Sequence, residues 1–429
     1  MLRTHTCGEL RAEDAGKKVT LCGWVETHRI QGKLSFILLK DSSGIVQIFL
    51  NPELTKQLGE ISKESIVQIE GLVKKRPDNQ VRKEMETGEI EVSATKATLV
   101  NKAEPLPIDI SFDTTTNFDK RLDYRFVDFH RPRIQAIFKI QNEIAKSFRD
   151  YFYKKGFVEM QSPCVISAAS EGGTDLFPVQ YFEKKAYLAQ SPQLYKQMLA
   201  CSFEKTVTIT PVWRAEKHNT PRHINEIRQM DIEAAFYDQM SVMKELEKAI
   251  QYIVKNVLSH CKKELDLLGV KDLKIPGGVY TSYEETMKKI NGTSGEDLTP
   301  EQERQLCAMY PGDIVFVHSW PTKIKPFYIM PKNADPRAEY SEGFDALYGG
   351  TEISSGGQRI HLPELLIERL KVKGLNPNDF KSYVDSFRYG APPHSGWSIG
   401  LERITQVICK LDNVKEATMF PRDRDRITP

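Results

Sequence analysis

The feature that most constrains the fold is a change of pattern part-way along the chain. Residues 17–103 contain short alternating or β-branched runs separated by turn residues, which is typical of strands. Beyond residue 133, apolar residues recur at helical spacing and strands alternate with helices. A chain of 429 residues is also too long for one compact core. We therefore expect an N-terminal β domain over 1–104 and a second domain over 133–429, joined by a linker over 105–132.

The N-terminal pattern predicts a small barrel. Five strands are expected at 18–25, 34–40, 45–50, 65–73 and 89–100, with one helical turn near 53–62. This order fits a five-stranded OB-fold barrel, a common platform on which exposed aromatic side chains stack single-stranded bases. Phe36 and Trp24 are candidate platforms, although an aromatic residue on a strand is more often part of the core.

The second half predicts an α+β domain. Pro105 and Pro107 open an irregular segment that ends at Pro132, and an amphipathic helix is expected over 133–155, ended by Gly156. Further strands are expected at 157–166, 185–189, 206–213, 227–237 and 344–354. Helices are expected at 192–203, 239–265, 362–373 and 400–411, and a capping box predicts another helix start at Thr299–Gln302.

Composition limits the cellular context. The net charge of +2 does not indicate a general nucleic-acid binder, so any RNA surface is a local patch such as Lys74–Arg76 or Arg82–Lys83. Seven cysteines without a C-x-x-C pair favour reduced thiols rather than a disulfide framework or a zinc site. No apolar run approaches the ~20 residues needed to span a bilayer, and no secretory signal opens the chain. We expect a cytoplasmic protein without a membrane partner.

Two separated arginine motifs predict a nucleotide site. Arg214 lies two residues from Glu216 at the end of an apolar run, and Arg403 follows a Gly400-Leu-Glu turn that opens an apolar helix. The chain has neither of the usual glycine-rich phosphate loops, so the positive charge must come from side chains. Planar guanidinium groups can bind phosphate oxygens two at a time. The pair therefore indicates ATP held by arginines and suggests adenylation chemistry.

Three motifs in order resemble those of class II aminoacyl-tRNA synthetases. They are the helix running into Gly156-Phe-Val-Glu-Met-Gln-Ser-Pro163, the segment Val212-Trp-Arg-Ala-Glu216, and Gly396-Trp-Ser-Ile-Gly-Leu-Glu-Arg403. The N-terminal OB domain is similar to that of the aspartyl, asparaginyl and lysyl subgroup. Segments 170–177 and 190–197 and the ending Phe420-Pro-Arg-Asp-Arg-Asp-Arg-Ile-Thr-Pro429 resemble the aspartyl enzymes of archaea and eukaryotes.

The resemblance implies a fold, a reaction and partners. The second domain would be an antiparallel sheet flanked by helices, and two copies would form a homodimer through the first motif. With Mg²⁺ as cofactor, L-aspartate and ATP would give aspartyl-adenylate and pyrophosphate. Aspartate would then pass to the 3′-hydroxyl of the terminal adenosine of tRNA-Asp. Whether tRNA-Asn is a second acceptor stays open at this point.

The resemblance also implies site residues. The catalytic residues would be Arg214, Glu216 and Arg403. Aspartate would be bound by Glu171, Ser191, Gln193, Lys196, Arg214, Gln229, Asp231, Ser355 and Arg359. ATP would be bound by Arg214, Glu216, Arg222, His223, Ile224, Glu352, Gly400, Leu401, Glu402 and Arg403. Mg²⁺ would be held by Glu352 and Ser355, with Asp345, and the anticodon by Arg29, Phe36 and Gln47.

Substrate chemistry favours aspartate over asparagine. Lys196 and Arg359 would both face the substrate carboxylate, and asparagine would leave that positive charge unpaired at about 3–5 kcal/mol. Three alternatives remain: a catalytically idle RNA-binding paralogue, an asparaginyl-tRNA synthetase, and an asparagine-forming amidase derived from one. The chain departs from the usual family pattern at Ile227, Ser395, Trp397 and Ser398, which puts details of the ATP pocket in doubt.

Overall fold

The computed structural model describes residues 2–167 and 176–429. The chain divides into two units, Met1–Asp109 and Ile110–Pro429. Within the described ranges, no helix is both long and apolar enough to cross a membrane.

The first unit is a closed five-stranded barrel, as the sequence predicted. Its strands are β1 (Lys18–Gln31), β2 (Leu34–Asp41), β3 (Gly44–Leu50), β4 (Ile66–Lys75) and β5 (Ile90–Asn101), in the order β1-β2-β3-β5-β4. Alternate apolar side chains point inward, so Val19, Leu21 and Val25 are buried in the barrel core. Helix α1 (Pro52–Leu58) begins after Asn51, whose side chain accepts a hydrogen bond from the Leu54 amide.

The second unit contains the other helices and strands. Its helices are α2 (Phe118–Asp123), α3 (Arg125–Asp128), α4 (Pro132–Tyr153), α5 (Gln193–Phe203), α6 (Gln239–His260), α7 (Lys262–Leu268), α8 (Tyr283–Ile290), α9 (Pro300–Ala308), α10 (Pro363–Val372), α11 (Lys381–Arg388) and α12 (Leu401–Cys409). Its strands are β6 (Val158–Glu159), β7 (Val165–Ile166), β8 (Pro178–Tyr181), β9 (Lys184–Leu188), β10 (Lys205–Trp213), β11 (Glu226–Ala235), β12 (Gly278–Ser282), β13 (Ile314–His318), β14 (Gly343–Tyr348), β15 (Thr351–Gln358) and β16 (His394–Gly400).

An eight-stranded sheet organises this unit. Its order is β12-β13-β14-β15-β16-β11-β10-β6, and the six strands from β13 to β10 pair antiparallel. The outer strands β12 and β6 pair parallel to their neighbours, so the predicted antiparallel sheet has one parallel pair at each edge. Strands β7, β9 and β8 form a separate antiparallel sheet.

Strand β11 separates a helical core from a polar face. Met230, Ile232 and Ala234 pack into the core that helices α4, α6 and α12 form with the sheet. The intervening residues, Gln229, Asp231 and Glu233, are also buried but lie on the opposite face, because side chains alternate along a strand. The polar face is where the candidate site lies.

Long-range contacts explain where the sequence-based expectations fail. Residues 118–128, expected to be irregular linker, form α2 and α3. Their buried carboxylate, Asp128, pairs with Arg121, Arg125 and Arg131. Arg125 also donates to the carbonyls of Glu416, Thr418 and Met419. Contacts to the C-terminal segment leave no periodic signal in the local sequence.

Two expected strands are each divided in the structure. The predicted strand 157–166 contains only the short β6 and β7. The predicted strand 344–354 is a hairpin of β14 and β15, turned at Gly349 and Gly350, where φ is 62° and 87°. Such positive values favour glycine, so the Gly-Gly pair was the available signal for the turn.

Candidate active site

A cavity of about 300 Å³ lies on the polar face of the large sheet. Most of the residues predicted to bind aspartate or ATP line it: Ser191, Gln193, Lys196, Arg214, Glu216, Arg222, His223, Ile224, Gln229, Asp231, Glu352, Ser355, Arg359, Gly400, Glu402 and Arg403. They come from α5 and the segment just before it, from β11, β15, β16 and α12, and from the loop between β10 and β11. Residues far apart in sequence therefore converge on one cavity.

Two cations and two carboxylates form a buried cluster at one end of this cavity. The Lys196 Nζ lies 2.8 Å from Asp231 Oδ1 and 3.5 Å from Glu233 Oε2, and donates to the Trp397 carbonyl at 3.2 Å. The Arg359 Nε and Nη2 donate to the two oxygens of Glu233 at 2.9 and 3.3 Å. All four charged side chains are almost completely buried. Such charges are tolerated only when they are paired and hydrogen-bonded in this way.

The cluster perturbs the ionisation of its carboxylates in opposite directions. Burial raises the pKa of Asp231 above its ordinary value, even though Lys196 opposes the shift. Burial also acts on Glu233, but the charges of Arg359 and Lys196 outweigh it and lower the pKa of that carboxyl. Glu233 is thus the firmly ionised member that links the two cations.

A hydrogen-bonded chain holds helix α5 in place beside the cluster. Gln197 accepts hydrogen bonds through Oε1 from Gln193 Nε2 and from the Tyr383 hydroxyl, each at 2.8 Å. Its Nε2 lies 3.0 Å from His394 Nε2, and His394 Nδ1 lies 2.8 Å from the Pro392 carbonyl. The carbonyl fixes the histidine proton on Nδ1, and burial lowers the pKa of His394, so Nε2 is a neutral acceptor for Gln197.

Three arginines also line the cavity. The Arg214 Nε is buried without a hydrogen-bond partner in the structure. The Arg222 Nη1 lies 3.4 Å from Glu303 Oε2 on α9, and the Arg403 Nη1 donates to the Glu352 carbonyl at 2.8 Å. This concentration of guanidinium groups is suited to a polyphosphate.

Asn225 shapes the loop that presents Arg214. Its Nδ2 donates to the carbonyls of Arg214 at 2.7 Å and Glu216 at 2.9 Å, and the Arg214 amide donates back to the Asn225 carbonyl at 3.0 Å. Asn225 therefore ties together the two ends of the loop between β10 and β11.

Replacing Asn225 by Ala should raise the KM for ATP by about tenfold, because the loss of two hydrogen bonds of about 0.5–1.5 kcal/mol each loosens the loop. Steady-state pyrophosphate exchange at varied ATP checks this. Asn142→Ala, at an exposed position of α4, is the matched control. An unchanged KM for ATP in Asn225→Ala would show that the loop is held by other contacts.

An oxygen-rich corner fits a magnesium ion. Asp345 and Ser355 face each other across β14 and β15, and Lys325 Nζ lies 2.5 Å from Asp345 Oδ2. Burial, followed by the Asp345 charge, raises the pKa of Glu352 to about 7. Two mutually repelling carboxylates and a hydroxyl suit Mg²⁺, which binds few protein ligands and retains waters. The described part of the chain contains no group of three His, Cys, Asp or Glu side chains in ligating proximity.

Comparison with known proteins identifies the family. The model for "tRNA synthetases class II (D, K and N)" matches residues 117–424. The chain belongs to this class II tRNA synthetase family. The model for "OB-fold nucleic acid binding domain" matches residues 19–100 of the synthetase, within the barrel.

Full-length relatives of the synthetase carry related names. It is 41% identical over 442 residues to an aspartate–tRNA(Asp/Asn) ligase of Archaeoglobus fulgidus and 40% identical over 448 residues to an aspartate–tRNA(Asp) ligase of Thermococcus kodakarensis. Each alignment covers 100% of both chains.

Solved structures of two specificities match the synthetase. The asparaginyl-tRNA synthetase of Pyrococcus horikoshii, complexed with asparaginyl-adenylate, has a TM-score of 0.90 at 32% identity and 100% coverage of both chains. The aspartyl-tRNA synthetase of Entamoeba histolytica has a TM-score of 0.88 at 31% identity, covering 100% of this chain and 93% of that one. The fold alone therefore does not separate aspartate from asparagine.

A few predicted residues of the synthetase lie elsewhere. Leu401 begins α12 and packs into the helical core rather than lining the cavity. Asp345 lies behind the cavity wall, beside Lys325. Glu171 lies outside the described residues.

Sequence reasoning missed four residues that support the site. Glu233, Gln197, Asn225 and Glu303 contact the predicted residues through the bonds given above. A signal existed for Glu233, since it follows Asp231 by two positions on a strand and so shares its face. The other three depend on contacts between separate elements or across a loop.

The unusual residues of the third motif have separate structural roles. The Ser398 hydroxyl donates to Asp231 Oδ2 at 3.2 Å and so joins the buried cluster. The Ser395 hydroxyl donates instead to the Tyr237 carbonyl, on the other face of β16. Trp397 is fully buried in the helical core, with its ring against Phe148 and Phe152. Ile227 lines the cavity.

The residues expected to read the anticodon share one face of the barrel. Arg29 on β1 is exposed and lies opposite Phe36 on β2, which lies opposite Phe49 on β3. The two phenylalanine rings are 5.6 Å apart. Gln47 is only 7% exposed, and its Nε2 donates to Glu91 at 3.0 Å. Phe49 is therefore a further aromatic residue of this face.

Replacing Phe36 by Leu should weaken binding of a tRNA-Asp transcript by about 1–3 kcal/mol if a base stacks on this ring. Pyrophosphate exchange, which needs no tRNA, should be unchanged. Fluorescence anisotropy with labelled transcript measures the binding, and Phe112→Leu, an exposed position of the second unit, is the control. Equal affinity of Phe36→Leu and wild type would remove Phe36 from the anticodon face.

Proposed function

We propose that the protein is an aspartate–tRNA ligase that activates L-aspartate with ATP and transfers it to tRNA-Asp. The observation that carries the proposal is that Lys196 and Arg359, joined through Glu233, line the same cavity as Arg214 and Arg403. A guanidinium has five N–H donors, and the two bonds to Glu233 leave the others for a substrate carboxylate.

The same cluster disfavours asparagine. Lysine and arginine side chains offer hydrogen-bond donors and no acceptor. A carboxylate can accept on both oxygens, whereas the amide nitrogen of asparagine is itself a donor and would face the cations without a partner. A site built to pair one polar group rejects an analogue that leaves buried groups unpaired.

In the proposed first step, the α-carboxylate of aspartate attacks the α-phosphorus of ATP. A new carbon–oxygen–phosphorus linkage forms, the bond to the β-phosphate oxygen breaks, and pyrophosphate leaves with that electron pair. Arg214 would stabilise the charge that develops on the α-phosphate, while Arg222, His223 and Arg403 would hold the remaining phosphates. Since the attacking carboxylate is already ionised, no general base is needed.

Other residues would orient the two substrates. Asp231, with Gln193 and Gln229, would bind the substrate ammonium, and Glu216 would hold the adenine side. Glu352 and Ser355, with Asp345 behind them, would hold Mg²⁺, which when bound neutralises phosphate charge. The proposed ligand set is supported by the crowding of Glu352 and Asp345, whose repulsion a cation would relieve.

In the proposed second step, the 3′-hydroxyl of the terminal adenosine attacks the carbonyl carbon of the aspartyl-adenylate. The ester forms, AMP leaves, and a phosphate oxygen of the adenylate takes the hydroxyl proton. The barrel face with Arg29, Phe36 and Phe49 would bind the anticodon, where unpaired bases can stack on aromatic rings.

A homodimer through the first motif is also part of the proposal. Its support is that the segment ending at Pro163 resembles the first motif of the family. The apolar stripe of α4 does not support a dimer, since it packs into the core of its own unit. Sedimentation equilibrium tests the dimer directly.

The test of the proposal is pyrophosphate exchange into ATP with Mg²⁺, comparing L-aspartate, L-asparagine and L-lysine. We expect exchange with aspartate alone. In Lys196→Met, the preference for aspartate should fall by at least about tenfold, because the buried cluster loses a positive charge. Lys146→Met, an exposed position on α4, is the matched control and should behave as wild type.

Each other outcome selects an alternative. Absence of exchange with every amino acid would favour an idle RNA-binding paralogue, and exchange with asparagine would mean an asparaginyl enzyme. Aminoacylation of tRNA-Asp and tRNA-Asn transcripts then decides the acceptor range, since the two named ligases above differ in this respect.

A further inference from the structure

A second cavity, of about 480 Å³, lies in the same unit and shares no lining residue with the candidate active site. It lies between the C-terminal end of α10 and the segment Pro321–Lys323. Three basic side chains line it: Lys323, Arg369 and Lys373. The proposed reaction uses none of these residues.

Arg369 is the most informative residue of this cavity. It is 4% exposed, and within the described part of the chain it makes no ion pair. Its Nη2 donates to the Thr322 carbonyl at 3.0 Å, while its Nε is buried without a hydrogen-bond partner. The Thr322 Oγ1, on a residue 5% exposed, is also buried and unpartnered. A buried guanidinium left in this condition is unfavourable unless an anion completes its environment.

The neighbouring lysines increase the positive charge. Lys373 Nζ donates to the Lys323 carbonyl at 2.6 Å, which fixes it beside Arg369. Burial, and then the charge of Arg369, lowers the pKa of Lys373. The Lys323 ammonium lies against Gly295, where an added Cβ would be only 2.7 Å from Nζ. Among the residues that line the cavity, Glu339 is the one carboxylate, and it is exposed.

We propose that this cavity binds a phosphate group. Arg369 can bind two phosphate oxygens through its planar fork, and Lys323 and Lys373 supply the compact charges that neutralise a dianion. The Thr322 hydroxyl and the Ser294 side chain add neutral donors to the lining. The volume exceeds that of one phosphate, so the group can belong to a larger molecule. Its source is either an RNA backbone or a free phosphate, which share this chemistry.

The test uses inorganic phosphate as the probe, titrated calorimetrically into the full-length protein in a phosphate-free, low-salt buffer. Arg369→Gln should bind phosphate at least about tenfold more weakly than wild type, since charge-assisted hydrogen bonds are lost. Lys371→Gln, exposed on the same helix and outside the cavity, is the matched control. Because the guanidinium groups of the first cavity can also take phosphate, Arg403→Gln reports the share bound there and should keep the binding that Arg369→Gln loses.

A second variant protects the test against misfolding. Because Arg369 is buried, its variant is first checked by thermal unfolding, and the double variant Lys323→Gln, Lys373→Gln removes charge from the same cavity without touching Arg369. It should weaken phosphate binding in the same direction. If both cavity variants bind phosphate like wild type, or only Arg403→Gln loses binding, the proposal is overturned.

A second binding experiment, with tRNA in place of inorganic phosphate, identifies the source of the phosphate group. Binding of a tRNA transcript is measured at several salt concentrations for wild type, Arg369→Gln and Lys371→Gln. If an RNA phosphate occupies the cavity, Arg369→Gln lowers the magnitude of the slope of log K against log salt by about one contact. If loss of phosphate binding leaves the tRNA slope unchanged, the ligand is a free phosphate.

Discussion

Replacing Arg214 by Lys should lower the rate of aspartyl-adenylate formation by about 10²–10³-fold, the effect of removing one preorganised group that stabilises transition-state charge. The positive charge is kept, but the fork that can contact two oxygens at once is lost. The Arg214 Nε has no partner in the structure, whereas Asn225 fixes the backbone of its loop. The backbone of Arg214 is therefore held in place while its Nε–H stays available to a substrate.

The predicted effect of Arg214→Lys is on the rate of adenylate formation and much less on the affinity for ATP. The single-turnover rate should fall far more than the affinity for ATP, because Arg222 and Arg403 would still hold the other phosphates. Arg149→Lys, on an exposed part of α4, is the control and should leave both unchanged. A variant Arg214→Lys that forms adenylate at the wild-type rate would exclude Arg214 from the transition state.

Replacing Glu233 by Gln should destabilise the protein by about 3–5 kcal/mol, the range for breaking a buried ion pair by removing one partner. Glu233 is fully buried and binds Arg359 through both oxygens while also lying 3.5 Å from Lys196. The amide keeps the size of the side chain but cannot accept from both guanidinium nitrogens in the same way. Lys196 would keep its ion pair with Asp231, whereas Arg359 would lose its carboxylate partner.

The loss should appear in both folding and function. Urea unfolding gives the free energy, and pyrophosphate exchange should show a raised KM for aspartate, because Arg359 loses the group that orients it. Glu226→Gln on the same strand removes a partly exposed pair with Arg228, and should change stability by less than about 1 kcal/mol. If Glu233→Gln were as stable as this control, the cluster would not be held together by Glu233.

Pattern and propensity were sufficient for the elements that carry their own signal. The barrel strands are alternating or β-branched runs bounded by turns, so their number and approximate limits could be predicted. Helix α4 has an apolar stripe and ends at Tyr153, three residues before the predicted stop at Gly156, where φ is 78°. The start of α9 at Thr299 shows both hydrogen bonds of its predicted capping box.

Elements stabilised by distant residues could not be predicted in this way. Helices α2 and α3 depend on Asp128 and on Arg125, which reaches carbonyls near the C-terminus. Strand β16 falls in a stretch rich in Gly, Ser and Pro, and is defined by its pairing with β11 and β15. Strand pairing of this kind depends on neighbouring strands of the assembled sheet and not on the β propensity of the segment itself.

The candidate site shows the same division. Arginines and carboxylates in recognisable motifs could be assigned to the cavity from the sequence. Their ion-pair partners Glu233 and Glu303 belong to none of these motifs, and only Glu233 carried a signal, through its position on the strand of Asp231. The arrangement of Lys196 and Arg359 as one linked cluster, rather than as two independent cations, is a result of the three-dimensional structure alone.

The two faces of strand β11 allow the amino-acid site to change without a change of fold. Residues 230, 232 and 234 pack against the helices, while 229, 231 and 233 lie on the polar face, so substitutions at alternate positions act first on the apolar core or first on the polar cluster. Selectivity for an amino acid can therefore diverge while the scaffold is retained. The match of this chain to an asparaginyl-tRNA synthetase at a TM-score of 0.90 and only 32% identity agrees with a scaffold that is kept while the sequence changes. A single strand thus divides the apolar core from the polar face that holds the cavity.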